Sequence, residues 1–384
     1  MLPYISRFSL LVISLLVATK VSDSGNSRNI SPPSEKKVSI LFAGDIMQHG
    51  PQITGAWNDS LNEYDYHPCF KYVSEIVMSY DLAVANLELT LAGEPYTGYP
   101  QFSAPDELAV AIKNSGFDIL VTANNHSCDR GDKGLIRTTK VLDSLGIKRT
   151  GTFYDSTDYT ANNPLILNQN GISIALLNYT YGTNGLPFKY PAMVNMIDEE
   201  KIISDIALSK THNPDFIIVY YHWGNEYELT QSKKQEDLAK LTLENGVDAV
   251  IGSHPHVIQP FMYTQSQDSI GRNQLVVYSL GNYVSNQRDR YRDGGAMVGF
   301  TLSKTWNRKS IIDPVYHLSW VHTPIENGKK NYYILPVNFP ENELTLTRED
   351  MHKKSLFIND TRERLNSHSG AIPEASYTSN PEGE

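Results

Sequence analysis

Two histidines separated by one proline, His254-Pro255-His256, are the residues of this chain best suited to chemistry. They follow an apolar run, 247–251, which is typical of a short buried strand that ends at Gly252-Ser253. Because side chains alternate along a strand, histidines two residues apart point to the same side. Imidazole is the commonest metal ligand, so the pair indicates a metal site. Two structural histidines would give the same pattern, and the choice depends on what other segments bring to the same place.

Polar side chains follow several other apolar runs in the same way. They are Asp45, Glu88, Asn125, His126, His222 and Glu226. In α/β sheets function gathers in the loops beyond the carboxyl ends of the strands, so we expect these groups to converge on the histidine pair. Mixed nitrogen and oxygen donors suit Zn, Mn or Fe, and a carboxylate can bridge two divalent ions. Singly, each has a plainer explanation: Asp45 could cap a turn, Asn125 could form an Asx-turn, and His222 could pack against Trp223.

Apolar runs alternate with segments of helical spacing over most of the chain, which predicts an α/β fold. The predicted strands are 38–43, 82–85, 118–123, 172–177, 216–221, 247–251 and 275–280. The predicted helices are 66–79, 105–115, 134–145, 197–209 and 232–244. Continuous apolar strands between helices imply a parallel or mixed sheet covered on both faces. Further on, 316–321 and 332–335 predict a hairpin that turns at Asn327-Gly328, followed by a helix over 351–366.

The composition excludes several classes of protein. A net charge of −10 disfavours binding to nucleic acid. Cys69 and Cys128 are not part of a CxxC motif, which excludes a cysteine zinc site, although they could form one disulfide in an exported protein. The chain has no Gly-x-Ser-x-Gly motif, so a nucleophile-elbow hydrolase is not expected.

The N-terminus predicts export. Arg7 precedes an apolar run, 8–18, which has the length of a secretory signal and is short for a membrane-spanning helix. We therefore expect residues 1–21 to be a signal peptide or an N-terminal anchor, and 22–37 to be a linker. The protein would be periplasmic, at the cell surface or membrane-anchored, and would touch a membrane only through an uncleaved N-terminus.

Six short motifs resemble, in order, those of the bacterial capsule-biosynthesis CapA family, also called poly-γ-glutamate synthesis proteins. The motifs lie between about 38 and 296 and are Gly44-Asp45-Ile46-Met47, Asn86-Leu87-Glu88, Ala123-Asn124-Asn125-His126, His222-Trp223-Gly224-Asn225-Glu226-Tyr227, Gly252 to Gln259, and Tyr278-Ser279-Leu280-Gly281-Asn282. The resemblance suggests a CapA-type domain over 38–302. We expect a C-terminal hairpin and helix, 303–366, to pack on it, and a disordered tail over 367–384.

The resemblance implies a calcineurin-like metallophosphoesterase fold, a four-layer α-β-β-α sandwich of two packed mixed sheets with two divalent metal ions at one edge. It also implies a role for each ligand. Asp45 and His256 would hold the first ion, Asn125, His222 and His254 the second, and Glu88 would bridge both. His126 would be the catalytic residue that protonates the leaving group.

The sequence departs from the metallophosphoesterase pattern at two positions. That pattern has Asp-x-His at the first strand, whereas here the histidine is His49, displaced by two residues. Glu88 replaces an aspartate and is one methylene longer. Among other candidates, Glu226 follows His222 by four residues and could orient a ligand or water, or lie on the surface. His49, Asn282 and Arg130 are candidate rim residues.

Three functions follow as hypotheses. The first is an extracytoplasmic CapA-type protein that assists synthesis, transport or surface attachment of an anionic polymer, with a hydrolase-like metal centre. Its partners would be that polymer or its precursor, and membrane-bound proteins of capsule synthesis or export. The second is a general metal-dependent phosphoesterase. The third is a non-catalytic polymer-binding protein.

Overall fold

The computed structural model describes residues 35–266, 272–339, 344–368 and 372–376. Its strands are β1 (Lys36–Ile46), β2 (Trp57–Asn58), β3 (Glu63–Tyr64), β4 (Leu82–Leu87), β5 (Ile119–Val121), β6 (Lys148–Thr150), β7 (Thr152–Phe153), β8 (Leu165–Gln169), β9 (Ile172–Thr180), β10 (Met193–Val194), β11 (Phe216–His222), β12 (Ala249–Ser253), β13 (Phe261–Thr264), β14 (Gln274–Val277), β15 (Asn282–Val284), β16 (Gly294–Lys304), β17 (Lys309–His322), β18 (Ile325–Glu326), β19 (Lys329–Lys330) and β20 (Tyr333–Pro336).

The helices occupy the connections between these strands and the end of the chain. They are α1 (Gly50–Ala56), α2 (His67–Phe70), α3 (Ser74–Met78), α4 (Glu107–Asn114), α5 (Gly131–Ser144), α6 (Ser156–Asn162), α7 (Glu199–Thr211), α8 (Lys233–Glu244) and α9 (Arg348–His368). In the part of the chain that the structure describes, no helix is long and apolar enough to cross a membrane.

Two mixed sheets form the centre of the protein. The first has the strand order β20-β17-β16-β1-β4-β5-β6, with β15 also pairing β1, and the second has the order β13-β14-β12-β11-β9-β8. In the first, β1, β4, β5 and β6 are parallel, while β16, β17 and β20 run antiparallel. In the second, a parallel centre of β9, β11, β12 and β14 is flanked by antiparallel β8 and β13.

Alternating side chains divide the core into three apolar layers. Phe42 of β1 packs against the second sheet in a cluster that also contains Ile218, whereas its neighbour Leu41 faces outward with Leu108 of α4. The outer face of the second sheet packs on α7 and α8, for example through Ile202. Since strands with both faces covered need apolar residues at every position, β4 and β11 are buried throughout. The predicted four-layer α-β-β-α sandwich of two packed mixed sheets is confirmed.

Most predicted elements are present, with one clear difference. The helix predicted over 66–79 is two short helices, α2 and α3. Between them Val73 is fully buried and the ring of Tyr72 lies 4.7 Å from that of Phe339, so tertiary packing overrides the helical spacing. The hairpin is confirmed: β17 pairs with β20, and Asn327 and Gly328 both have positive φ at the turn between β18 and β19.

The ends of the domain differ in detail from the predicted boundaries. The first strand begins at Lys36, inside the predicted linker, and the signal or anchor segment 1–21 lies outside the described residues. The tail was predicted to be disordered from residue 367. Instead, Tyr316 donates its N–H to Pro373 O (3.0 Å) and accepts one from Ala375 (2.8 Å). Part of the tail is therefore paired with β17.

Cys69 and Cys128 do not form the disulfide that the sequence left open. Both thiols are free and buried. They belong to separate apolar clusters, Cys69 with the outer face of the first sheet and Cys128 beside Leu135 of α5. Burial raises the pKa of each thiol to about 12, so both are inert at neutral pH.

Gly44 allows β1 to approach the loop before β15. A Cβ added there would lie 2.0 Å from Gly281 O, a backbone atom that cannot move aside cheaply. We expect Gly44→Ala to lower the free energy of unfolding by about 2–3 kcal/mol through overpacking, as measured by urea denaturation. Gly182→Ala is the matched control, because a Cβ there has no neighbour within 4 Å. Equal denaturation midpoints for the two variants would contradict the expected close packing.

Candidate metal centre

The carboxyl ends of strands from both sheets meet at one edge of the sandwich. Asp45 lies near the end of β1 and His222 ends β11, Glu88 and His254 directly follow β4 and β12, and Asn125 and His256 lie in the loops after β5 and β12. All six predicted metal ligands, Asp45, Glu88, Asn125, His222, His254 and His256, are at most 2% exposed. The structure therefore brings together at one edge the residues that the sequence predicted to converge.

A bulge positions the carboxylate of Asp45. The register of β1 against β4 shifts between Ala43 and Asp45, which turns the aspartate into the space between the sheets. One carboxylate oxygen accepts an N–H from Asn86 Nδ2 at 2.8 Å, and the other accepts the backbone N–H of His254 at 3.2 Å. Two donors from different sheets thus fix the orientation of this carboxylate.

Glu88 lies at the middle of the cluster. Its Oε1 is 3.6 Å from His222 Nε2 and 3.8 Å from His256 Nε2, and neither of its oxygens has a hydrogen-bond partner. Burial, and then the negative charge of Asp45, raise the pKa of Glu88 well above its ordinary value. A buried carboxylate without a partner is strongly unfavourable unless a cation compensates it.

Two sets of possible ligand atoms share Glu88. One is Glu88, His222 and His254, the other is Asp45, Glu88 and His256, and in each set the atoms lie within 4.8 Å of one another. The Nδ1 atom of His254 is also buried without a partner. Unpartnered carboxylate and imidazole atoms at this spacing fit divalent metal ions, and the mixed donors suit Zn, Mn or Fe.

The backbone of the His-Pro-His segment is not a continued strand. The strand β12 ends at Ser253, and His254 and His256 both have positive φ, 100° and 59°. The argument from strand alternation was therefore wrong, although the two rings do converge, with centroids 5.9 Å apart. Non-glycine residues in this region cost about 1–3 kcal/mol each and are typical of functional sites.

Hydrogen bonds behind the histidines orient their rings. His222 Nδ1 lies 3.1 Å from Ser253 Oγ, which leaves Nε2 facing Glu88 and, at 2.9 Å, Asn125 Oδ1. His256 Nδ1 lies 3.1 Å from Asn282 Oδ1, which leaves its Nε2 facing Glu88. Such outer partners fix the tautomer of a metal-ligating imidazole.

Asn282 is thus a supporting residue. It is fully buried behind His256. Its Nδ2 donates to Arg292 O at 2.9 Å, so the amide is held at both ends.

His126 is paired with a carboxylate that the sequence analysis did not single out. Its Nδ1 lies 2.7 Å from Asp129 Oδ2, and the same oxygen accepts the N–H of Phe102 at 2.7 Å. The ring of Phe102 packs edge-on against that of His126, at 4.5 Å between centroids. The spacing of three residues between His126 and Asp129 was the available signal.

The remaining candidates take different places. Glu226 is exposed and can join His254 and His256 in a ligand set, rather than orienting His222. His49 is the N-cap of α1, and its Nδ1 lies 3.2 Å from Gln52 Oε1. Burial lowers the pKa of His49 to about 4. Within the described residues, no possible metal-binding group includes His49.

Arg130 is directed toward the neighbouring loop. Its guanidinium donates to Thr97 Oγ1 at 3.1 Å and to Pro95 O at 3.3 Å. The sequence also missed Tyr181, which is 46% exposed and whose ring lies 4.5 Å from that of His254. Tyr181 therefore covers one side of the cluster where it opens to solvent.

The fold and the cluster together define an α/β sandwich with a buried carboxylate and imidazole centre at its edge. The chain belongs to the family described as bacterial capsule synthesis protein PGA_cap, whose family model matches residues 39–287. The CapA resemblance inferred from the motifs is therefore confirmed.

Two curated relatives match over most of their length. One is a capsule biosynthesis protein CapA of Bacillus anthracis, 29% identical over 319 residues, which are 80% of this chain and 73% of the relative. The other is a PGA biosynthesis protein CapA of Bacillus subtilis, 27% identical over 320 residues, 79% of this chain and 78% of the relative.

Solved structures with a similar chain trace include an NAD nucleotidase of Haemophilus influenzae, with a TM-score of 0.48 and 15% identity. The match covers 90% of this chain and 65% of that one, less than two thirds of its length. Another is the calcineurin-like phosphoesterase YfkN of Bacillus subtilis, with a TM-score of 0.43, 15% identity, and coverage of 86% and 98%. At these identities the likeness says nothing about activity or substrate.

Substituting Asn282, the hydrogen-bond partner of His256, tests the centre without changing a predicted ligand. We expect Asn282→Ala to lower the affinity for divalent metal about 10–100-fold, because the imidazole loses the partner of its Nδ1. Competition with a chromogenic chelator measures this affinity. Asn114→Ala, an exposed position at the end of α4, is the control and should bind metal as the wild type does. Unchanged affinity in Asn282→Ala would show that Asn282 does not support metal binding through His256.

Proposed function

We propose that this protein assists the synthesis, transport or surface attachment of an anionic capsule polymer of the poly-γ-glutamate type, through a two-metal, hydrolase-like centre. Membership of the capsule synthesis family supports the biological role, and the Bacillus subtilis relative is described as a PGA biosynthesis protein. The partners would be the polymer or its precursor and membrane-bound proteins of capsule synthesis or export. The apolar run at 8–18 supports an exported protein, periplasmic, at the cell surface or membrane-anchored.

One observation carries the chemical part of the proposal: the buried, unpartnered carboxylate of Glu88 lies between two sets of further ligand atoms. The first ion would be held by Asp45, Glu88 and His256, and the second by Glu88, Asn125, His222 and His254. Such ions, when bound, polarise the substrate and lower the pKa of a coordinated water.

The chain's own residues supply the proton transfer. With Asp129 ionised, its Oδ2 would accept both the N–H of Phe102 and the Nδ1 proton of His126. This holds one proton on Nδ1, and a second proton, carried on Nε2 when the ring is protonated, would pass to the leaving atom. Phe102 and Tyr181 cover the sides of the cluster and limit the access of water.

A general metal-dependent phosphoesterase remains the second candidate, since a carboxylate-oriented histidine beside a metal centre serves phosphate esters equally well. The pair His126 and Asp129 is the observation that supports it. Turnover of bis(p-nitrophenyl) phosphate but not of a γ-linked glutamate oligomer would support this candidate over the first. Binding of the oligomer by metal-stripped protein without turnover would support a non-catalytic role.

Metal analysis of single variants tests the two-metal proposal. We expect two ions per chain in the wild type and one in His254→Ala and in His256→Ala, while Glu88→Gln loses most of both because it removes the shared ligand. Inductively coupled plasma mass spectrometry gives the stoichiometry, and circular dichroism verifies that each variant is folded. Metal content unchanged by all three substitutions would rule out the centre.

The role of His126 is tested separately from metal binding. We expect His126→Ala to retain both ions and to lower the turnover number about 100-fold or more, the typical contribution of general acid catalysis. Asp129→Asn should keep the ions and alter the pH profile of turnover, because the tautomer of His126 is no longer fixed. Full activity in His126→Ala would remove it from the mechanism.

A further inference from the structure

The end of the sandwich opposite the metal centre carries an exposed tryptophan among basic residues. We define this basal face by residues Lys36, Lys37, Lys304, Trp306, Arg308 and Lys309. We propose that the basal face docks onto an anionic lipid bilayer, with Trp306 at the level of the headgroups. This inference does not depend on the metal chemistry, and it draws on the proposed N-terminal anchor only for the attachment of the chain.

Trp306 occupies the tip of the turn between β16 and β17. It is 73% exposed, whereas Trp223 and Trp320 are 2% and 1% exposed. The turn is closed beneath it, because Thr305 donates its N–H to Arg308 O at 2.8 Å. An indole held outward on a closed turn has no packing role within the described structure. Tryptophan is enriched at membrane interfaces, where its ring is buried in part and its N–H stays hydrated.

Strand pairing gathers the cations around this turn. Lys36 pairs with Lys304, and Lys304 pairs with Lys309 across the hairpin. The acids at this end are Glu35, Asp81 and Asp215, fewer than the five cations of the face, and Asp81 accepts hydrogen bonds from Ser39 without an ion pair in the described residues. Asp215, which is 4% exposed, holds Lys304 and Lys309 at 2.7 and 2.5 Å.

The other cations of the basal face, Lys36, Lys37 and Arg308, have fewer acidic partners. Glu35 lies 3.1 Å from Lys37, and Ser303 Oγ also donates to Glu35 at 2.6 Å. Within the described part of the chain, Lys36 and Arg308 form no ion pair. A net positive patch on a chain of net charge −10 is a local feature that suits the negative surface of an anionic leaflet.

A cleft beside the basal face has the size and charge for a lipid headgroup. It measures about 460 Å³, and its lining includes Lys210, Arg272 and Lys309. Its acid, Asp248, is 1% exposed and is satisfied by Arg272 at 2.8 Å and by the N–H of Ile217 at 2.8 Å. Since Arg272 is paired with Asp248 and Lys309 with Asp215, Lys210 is the cation of the cleft that forms no ion pair in the described residues and could meet a phosphodiester.

The topology orients the protein on the bilayer. The strand β1 starts at Lys36 in the basal face and reaches Asp45 nine residues later, a distance of about 30 Å at roughly 3.3 Å per residue. Docking would thus leave the metal centre facing away from the lipid. The described chain also enters β1 at this end.

Fluorescence on vesicles tests the docking with the full chain. Protein is bound to vesicles of phosphatidylcholine, or of phosphatidylcholine with phosphatidylglycerol, each containing acyl chains brominated near the headgroup. The contribution of Trp306 is the difference between wild type and Trp306→Phe. We expect this contribution to be quenched at least twofold on anionic vesicles only, and the quenching to disappear at high salt.

Charge removal gives the second measurement. We expect Lys36→Gln, Lys37→Gln and Arg308→Gln combined to weaken binding to anionic vesicles roughly 100-fold at low salt. The matched control removes three lysines toward the opposite end, Lys133→Gln, Lys189→Gln and Lys234→Gln, and should bind as the wild type does. Equal effects of the two triple variants, or a Trp306 signal that is never quenched, would overturn the docking. Unquenched Trp306 together with equal binding to both kinds of vesicle would leave an N-terminal anchor as the sole attachment. Absence of binding to either kind of vesicle would overturn the docking and the anchor alike.

Discussion

A negative charge buried where the two sheets meet sets the conditions for the rest of the structure. The carboxylate of Glu88 has no hydrogen-bond partner, and Asp45 places a second carboxylate nearby. The neighbouring histidines do not neutralise this charge, because burial lowers the pKa of His222 and His254 and keeps their rings uncharged. Their ring nitrogens offer lone pairs to a metal ion instead. Such a cluster favours a bound cation, which is why its residue types, and not only its shape, indicate a metal centre.

The positions of the ligands along the chain could be predicted from the sequence because they follow a simple physical rule. Buried parallel strands are continuous apolar runs, and the first polar residues after them lie at one edge of the sheet. Asp45, Glu88 and His222 were found in this way. The four layers followed from the same runs together with the family resemblance.

The local geometry of the centre could not be predicted, because it depends on contacts between distant segments. Asn282 orients His256 across 26 residues, and no spacing rule connects the two. The positive φ angles at His254 and His256 are imposed by the surrounding structure, against the preference of the residue itself. The two departures from the metallophosphoesterase pattern also become clear: His49 caps α1, while the longer side chain of Glu88 reaches between His222 and His256.

The centre takes its ligands from both halves of the sandwich: Asp45 and Glu88 belong to the first sheet, and His222, His254 and His256 to the second. Ions held there would hold the two sheets together at this edge. Without them, the carboxylates of the first sheet would face the imidazoles of the second with no ion to join the two sheets, so that edge would open first. Through this coupling, metal supply would govern how long the folded protein survives proteolysis as well as whether it is active.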